Sequence, residues 1–345
     1  MAERAELFRM SNLILYDDFS LDRIPHNPPL VPADPEPASP EVVASLELPL
    51  NETKGTSLRL LLPPRTAALC RFPVLLYFHG GAFVGGSSAV AADHAFLCKL
   101  ASHAPVLIVS VEYRLAPEHP LPAAYEDCIE AFMWLRSQSL AGESASNPWI
   151  SRYGDLSRCF LGGDSAGANI AHHVAMWAIT GRGFERRSKD GLDCASWCAI
   201  NADVSPPAMG GLCVQGVILI HPYFTCGLDE RTNMEQKLWE HSGVSMEHPF
   251  ANPLAPDAPS IQEAGLPCYL VAVATEDMFV KRGHAFYQAL ADAGKGVRLF
   301  TSHEEGHCFH LLTPNSENVP AFLNELCKFI NPHHENEEDD ERSLA

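Results

Sequence analysis

Short, continuous apolar runs recur along this chain and alternate with longer stretches of helical periodicity. Val74–Phe78 and Val106–Val111 are the clearest, and the shorter or interrupted stretches Cys159–Leu161, Val214–His221, Leu270–Ala274 and Val297–Phe300 read as further strands. An unbroken run of this length predicts a strand buried on both faces. Between the runs, Ala124, Cys128, Ala131, Phe132 and Leu135 share one face of a helix expected over Pro122–Arg136. Further helices are expected from Ser165 to about Thr180, from Phe279 to Ala293 and from Val319 to Ile330. Upstream, Leu46–Leu50 and Ser57–Leu62 read as strands joined by a turn over Asn51–Gly55. Strand and helix in alternation predict an α/β class: a mainly parallel sheet with helices on both faces. Such sheets carry their chemistry at the carboxyl ends of the strands.

The pattern also divides the chain. Residues 1–44 hold Leu13–Tyr16 and then thin into prolines from Pro25 to Pro40, which fit neither a long helix nor an inner strand. They are expected to form an N-terminal arm or cap. Residues 45–331 make the main domain. Within it, 181–213 read as an insertion loop, unusually long for a compact domain. Cys194 and Cys198 inside it are too few for a structural metal site. Residues 332–345, with the run Glu335–Glu341, read as a solvated, disordered acidic tail.

Composition narrows the partners. A net charge of −19 argues against nucleic acid or an anionic membrane surface. The first residues, Met1–Glu6, lack the apolar core of a secretory signal. The 11 cysteines are odd in number and form no framework, and Cys159, Cys268 and Cys327 sit in apolar runs as reduced core residues. A soluble, reducing, cytoplasmic location is the expectation. A small molecule is the expected partner, with no cofactor and no metal.

The candidate chemistry centres on Gly163-Asp164-Ser165-Ala166-Gly167, a match to G-x-S-x-G at the junction of a strand and an alanine-rich helix. A serine nucleophile needs a sharp turn there, and small residues two before and two after let strand and helix approach. It also needs a base, an acid to orient the base, and donors for an oxyanion. The donors are expected from His79-Gly80-Gly81-Ala82-Phe83, behind the Val74–Phe78 strand, and from the N–H of Ala166. His79 precedes the turn and is expected to hold that loop by hydrogen bonds. Asp277, with Glu276 as rival, follows the Leu270–Ala274 strand and is the candidate acid. His307, with His303 and His310 as rivals, follows the last strand and is the candidate base. The order Ser…Asp…His favours His307 among 16 histidines.

Five segments together resemble the hormone-sensitive-lipase-like branch of the α/β-hydrolases, and the plant carboxylesterases in it above all. They are His79–Phe83, Tyr113-Arg114-Leu115-Ala116-Pro117-Glu118-His119, Gly163–Gly167, His221-Pro222-Tyr223-Phe224 and Gly306-His307-Cys308-Phe309. The resemblance covers about residues 10–180 and 214–331. It implies a triad of Ser165, Asp277 and His307, an oxyanion hole from Gly80, Gly81 and Ala166, and an N-terminal segment that caps the pocket. The same family includes gibberellin receptors, which carry an aliphatic residue at the histidine position, and 2-hydroxyisoflavanone dehydratases, some with threonine at the nucleophile. His307 and Ser165 therefore favour a working esterase on small-molecule esters over a hormone-like receptor or a lyase. One departure is Ala82, where many members have a third glycine; its methyl is expected to narrow the pocket against bulky esters.

A competing motif overlaps the base. His303-Glu304-Glu305-Gly306-His307 matches H-E-x-x-H, the zinc-peptidase signature. That chemistry needs both histidines on one helix face. Here the segment follows a strand and contains a glycine, so the metal reading is disfavoured.

Overall fold

Each apolar run of the core splits its side chains between two faces, as a period of two requires. On the strand Phe72–Phe78, Val74, Leu76 and Phe78 enter one core cluster while Leu75 and Tyr77 enter the other. Val217 and Leu219 against Ile218 and Ile220 repeat the division, as do Val271 and Val273 against Leu270 and Ala272. Two-sided burial is why these runs are unbroken.

The computed structural model describes residues 4–332, apart from 11–12, 17, 19, 25–28, 65–70, 142–145, 181–210 and 228–231. The expectations for most of the insertion, including Cys194 and Cys198, for Pro25–Pro28 and for the acidic tail beyond 332 lie outside the described residues.

The strands in chain order are β1 Glu6–Met10, β2 Leu13–Tyr16, β3 Leu21–Arg23, β4 Ala44–Asn51, β5 Thr56–Leu62, β6 Phe72–Phe78, β7 Leu107–Glu112, β8 Gly154–Asp164, β9 Val214–Ile220, β10 Cys268–Ala274 and β11 Val297–Ser302. The last eight form one sheet in the order β11-β10-β9-β8-β6-β7-β5-β4. From β11 to β7 all neighbours are parallel; β5 and β4 join antiparallel at one edge. β1, β2 and β3 form a separate antiparallel sheet.

The helices are α1 Ala91–His103, α2 Ala123–Leu140, α3 Pro148–Tyr153, α4 Ala166–Thr180, α5 Asn233–Ser242, α6 Val280–Asp292, α7 Phe309–Leu312 and α8 Asn318–Ile330. α2 and α4 pack one face of the sheet through Phe132, Leu135, Ile170 and Val174. α1 and α8 pack the other through Phe96, Leu100, Phe322 and Leu326. Each such buried side chain stabilises the fold by about 1.5–3 kcal/mol. α4 is covered on every side from Ala166 to Ala178, so its residues are small or apolar apart from the buried Asn169, His172 and His173.

Among the described residues no helix is long and apolar enough to cross a membrane. The described cysteines are free thiols, and Cys159 is buried as expected. Cys268 and Cys327 correct that expectation: Cys268 opens β10 and is exposed, and Cys327 on α8 is half-buried. An apolar neighbourhood in sequence did not place these two inside, because the first residue of a strand and the flank of a covering helix face outward.

The N-terminal sheet is fastened to the core through Arg23. Its guanidinium donates to Val84 O at 2.5 Å, to Ala116 O at 2.6 Å and to both oxygens of Glu118 at 2.7 and 2.6 Å. Val84 directly follows the His79–Phe83 turn, so the strap ends beside the candidate site.

Candidate active site

Ser165 stands between β8 and α4 at φ 53, the left-handed region that a non-glycine residue occupies only under constraint. Its N–H donates to Ile220 O at 2.8 Å, and its carbonyl accepts from Tyr223 N–H at 3.0 Å. The flanking glycines are required by close approach. A Cβ on Gly163 would lie 2.5 Å from the Gly167 carbonyl carbon, and one on Gly167 would lie 2.6 Å from the Phe78 carbonyl carbon. The ends of β6 and β8 and the start of α4 therefore meet at the serine.

The loops after β10 and β11 bring two more residues to it. His307 Nε2 lies 2.9 Å from Ser165 Oγ, and His307 Nδ1 lies 2.9 Å from Asp277 Oδ2. The other Asp277 oxygen accepts the Phe279 N–H at 2.8 Å. Burial pushes the Asp277 carboxyl up, but the His307 hydrogen bond and charge and the Phe279 N–H more than offset it, leaving it below the ordinary carboxylate value. Phe279 packs edge-on against the His307 ring at 5.0 Å.

The rivals lie elsewhere. Glu276 is exposed and bonds through its N–H to Glu305 O. His303 is exposed. His310 is buried edge-on against Phe96 at 4.4 Å, and burial lowers its pKa to about 3, so the ring is neutral. The segment from His303 to Cys308 is a turn between β11 and α7, so the two histidines of H-E-x-x-H share no helix face.

His221, His307 and Cys308 bring ligand-type atoms within 4.8 Å of one another. These do not suit a metal ion: the Nδ1 lone pair of His221 is already taken, which leaves its Nε2, unpartnered among the described residues, to carry the proton, and the other two side chains are engaged elsewhere. His221 Nδ1 accepts the Cys308 N–H at 2.8 Å, the Cys308 thiol faces Asp164 Oδ2 at 3.6 Å, and His307 spans Ser165 and Asp277.

The turn after β6 differs in one respect from the expectation. The Gly80 N–H, expected to face an oxyanion, donates instead to Asp164 Oδ1 at 3.1 Å. The same oxygen accepts the Tyr77 hydroxyl at 2.8 Å. A buried carboxylate needs donors, and Gly80 is one of them. Among the described residues, the N–H groups of Gly81, Ala82 and Ala166 carry no hydrogen-bond partner. Gly81, Ala82 and Phe83 all take positive φ (115, 52 and 64), which turns successive N–H groups to one side. His79 holds the turn as expected, with Nδ1 at 2.7 Å from Gly80 O and its ring stacked on Tyr113 at 4.2 Å.

Sequence reasoning passed over Asp164, Cys308 and Arg23. For Asp164 a signal was present: a charged residue inside a small-residue turn beside an apolar strand must be buried, and so must find donors.

A family model described as "alpha/beta hydrolase fold" (Abhydrolase_3) matches residues 75–311. The chain is similar to "Tuliposide A-converting enzyme 1, chloroplastic" of Tulipa gesneriana, 36% identical over 92% of this chain and 76% of that protein. It is 34% identical to "2-hydroxyisoflavanone dehydratase" of Glycyrrhiza echinata, over 86% of this chain and 88% of the other. It is 32% identical to "Probable carboxylesterase 4, mitochondrial" of Arabidopsis thaliana, over 92% and 81%. Among solved structures, a hyperthermophilic esterase from the archaeon Pyrobaculum calidifontis shares the fold with a TM-score of 0.61 at 22% identity, covering 85% of this chain and 86% of that one.

These relatives correct the cytoplasmic expectation, since the Tulipa proteins are named chloroplastic and amyloplastic. The lack of an apolar core near Met1 tests only for secretion; plastid leaders are not apolar runs and escape that test. The match over most of the chain, the eight-stranded mainly parallel sheet and the serine turn at its centre make one assignment: the chain belongs to the alpha/beta hydrolase fold family Abhydrolase_3.

Proposed function

We propose that the protein hydrolyses carboxylic esters of small molecules, with Ser165 as nucleophile, His307 as base and Asp277 as the acid that orients it. The observation that carries this reading is the unbroken chain Ser165 Oγ–His307 Nε2 and His307 Nδ1–Asp277 Oδ2, with 2.9 Å at each link. In this reading His307 takes the Ser165 proton as Oγ attacks the ester carbonyl. Asp277 stabilises the imidazolium that forms. The alcohol leaves with the proton from His307, and water repeats the cycle to free the acid. The oxyanion donors are the N–H groups of Gly81, Ala82 and Ala166, in place of a set that includes Gly80. One such donor is typically worth about 2.7–4 kcal/mol of transition-state stabilisation. Residues before 44 serve as the cap, held by Arg23.

The relative named a carboxylesterase supports this reading. The relative named a dehydratase supports a second one, in which the same groups catalyse elimination from a hydroxylated substrate. Release of p-nitrophenol from its acetate and butyrate esters separates them. Turnover that survives a chelator and is lost in Ser165→Ala is the expected result. A folded wild type without turnover overturns the esterase reading and favours the second.

A further inference from the structure

Cys308 follows His307 directly and stands at φ 52, a conformation that costs a non-glycine residue about 1–2 kcal/mol. Two donors leave it. Its main-chain N–H reaches His221 Nδ1 at 2.8 Å, and its thiol reaches Asp164 Oδ2 at 3.6 Å. The other Asp164 oxygen takes the Tyr77 hydroxyl from β6 and the Gly80 N–H from the turn after it. Asp164 is itself the residue before Ser165. One buried carboxylate therefore joins the serine turn, the turn that carries Gly81 and Ala82, and the loop that carries His307.

We propose that Cys308 and Asp164 are a positioning pair: the thiol donates to the carboxylate and so holds the His307 loop in register with Ser165 and the Gly81–Ala82 turn. The inference rests on the reading of Ser165, His307 and Asp277 as the reacting centre. A thiol can donate only while protonated, and burial pushes Cys308 well above the ordinary thiol value, with the Asp164 charge adding to it. Cys308 and Asp164 are 7% and 2% exposed, so water does not compete for the bond. Without its donors, a loop held at positive φ relaxes downhill and carries His307 away from Ser165. The other titratable groups around this cluster are Asp277, Asp93, Tyr77, His79, His221 and His310.

The test compares Cys308→Ala, Cys308→Ser and Asp164→Asn in the full chain, with p-nitrophenyl acetate as probe. Wild-type turnover lost in Ser165→Ala first establishes the underlying reading. Cys308→Ala is then expected to lower kcat about tenfold with KM within about twofold, since misplacement of the base acts on the chemical step. Cys308→Ser keeps a donor and is expected to restore most of the loss. Asp164→Asn keeps the shape of the side chain but weakens the acceptor, and is expected to lower kcat with KM near the wild-type value. Unchanged kcat in Cys308→Ala overturns the proposal, and so does an equal loss in the serine and alanine variants. If the wild type turns over no ester, the low-field proton resonance of the His307–Asp277 hydrogen bond reads the same geometry. It is expected to persist in Cys308→Ser and to broaden in Cys308→Ala, and its persistence in Cys308→Ala overturns the proposal.

Discussion

Gly80 and Asp164 meet with no room for a side chain between them: the N–H donates to Oδ1 at 3.1 Å, and a Cβ on Gly80 would lie 3.2 Å from the carboxylate carbon. Gly80→Ala therefore displaces the carboxylate or the turn. The expected outcome is a stability loss of about 1–3 kcal/mol and a larger fractional loss in kcat than in 1/KM. Urea unfolding and steady-state kinetics measure the two.

Asp277→Asn keeps the shape and removes the charge. By analogy with serine hydrolase triads, kcat is expected to fall about 10³- to 10⁴-fold. The native Asp277 carboxyl lies below its ordinary value, so its contribution to stability is present above about pH 3.9 and is lost as pH falls through the lower native value. The stability gap between wild type and variant is expected to close below that pH, which unfolding curves at successive pH values would reveal.

Buried neutral histidines set a second acid limit. His173 and His310 are held near a pKa of about 3 by burial, whereas an unfolded histidine protonates near 6.5. Their contribution is intact above about pH 6.5 and is lost as pH falls from there toward 3. Each adds up to about 1.4 kcal/mol per pH unit to the slope. His310→Leu is expected to remove about one proton from the pH dependence of unfolding, and an unaltered slope would contradict this.

Glu235 on α5 and Arg282 on α6 form an ion pair in which both side chains are buried, linked by a bond from Arg282 Nη2 to Glu235 Oε2 at 2.9 Å. Arg282 also lies over the Phe279 ring at 5.2 Å, beside the His307 pocket. Removing either partner leaves the other's buried charge uncompensated by an opposite charge and is expected to cost about 3–5 kcal/mol. The double change Glu235→Leu with Arg282→Met is expected to be less damaging than either single change, which a double-mutant cycle in urea decides.

Ala82 is buried and holds φ 52. Ala82→Gly relieves a left-handed strain of about 1–2 kcal/mol against a larger backbone entropy in the unfolded chain of about 0.4–1 kcal/mol. No loss of stability is expected, together with faster relative turnover of bulky esters. A melting temperature lower by several degrees, or unchanged acyl preference, would contradict the respective halves.

The sheet was legible because two-sided burial leaves unbroken apolar runs, and β6 to β11 fall close to where those runs stand. That Ser165, Asp277 and His307 come together was legible because each follows its own strand. α1 escaped notice because Val90 precedes it without a side-chain cap, and its buried residues are confined to Phe96, Leu97, Leu100 and Ala101. α5 escaped because its sequence is mostly polar, although Thr232 caps it. The Gly80 contact to Asp164 has a different origin. Spacing shows that Gly80 and Gly81 are exposed backbone, but only the fold shows that Asp164 engages one of them.

Through the Arg23 strap, β3 would share in the reactivity proposed above. A segment about sixty residues upstream braces the carbonyl of Val84, just behind the turn that would receive the developing charge. Proteolysis, an alternative start codon or a fusion tag near Leu21 would therefore be felt as a change in turnover rather than as a cosmetic change at an end. Preparations that differ only in where the polypeptide begins should be compared by activity before their kinetic constants are pooled.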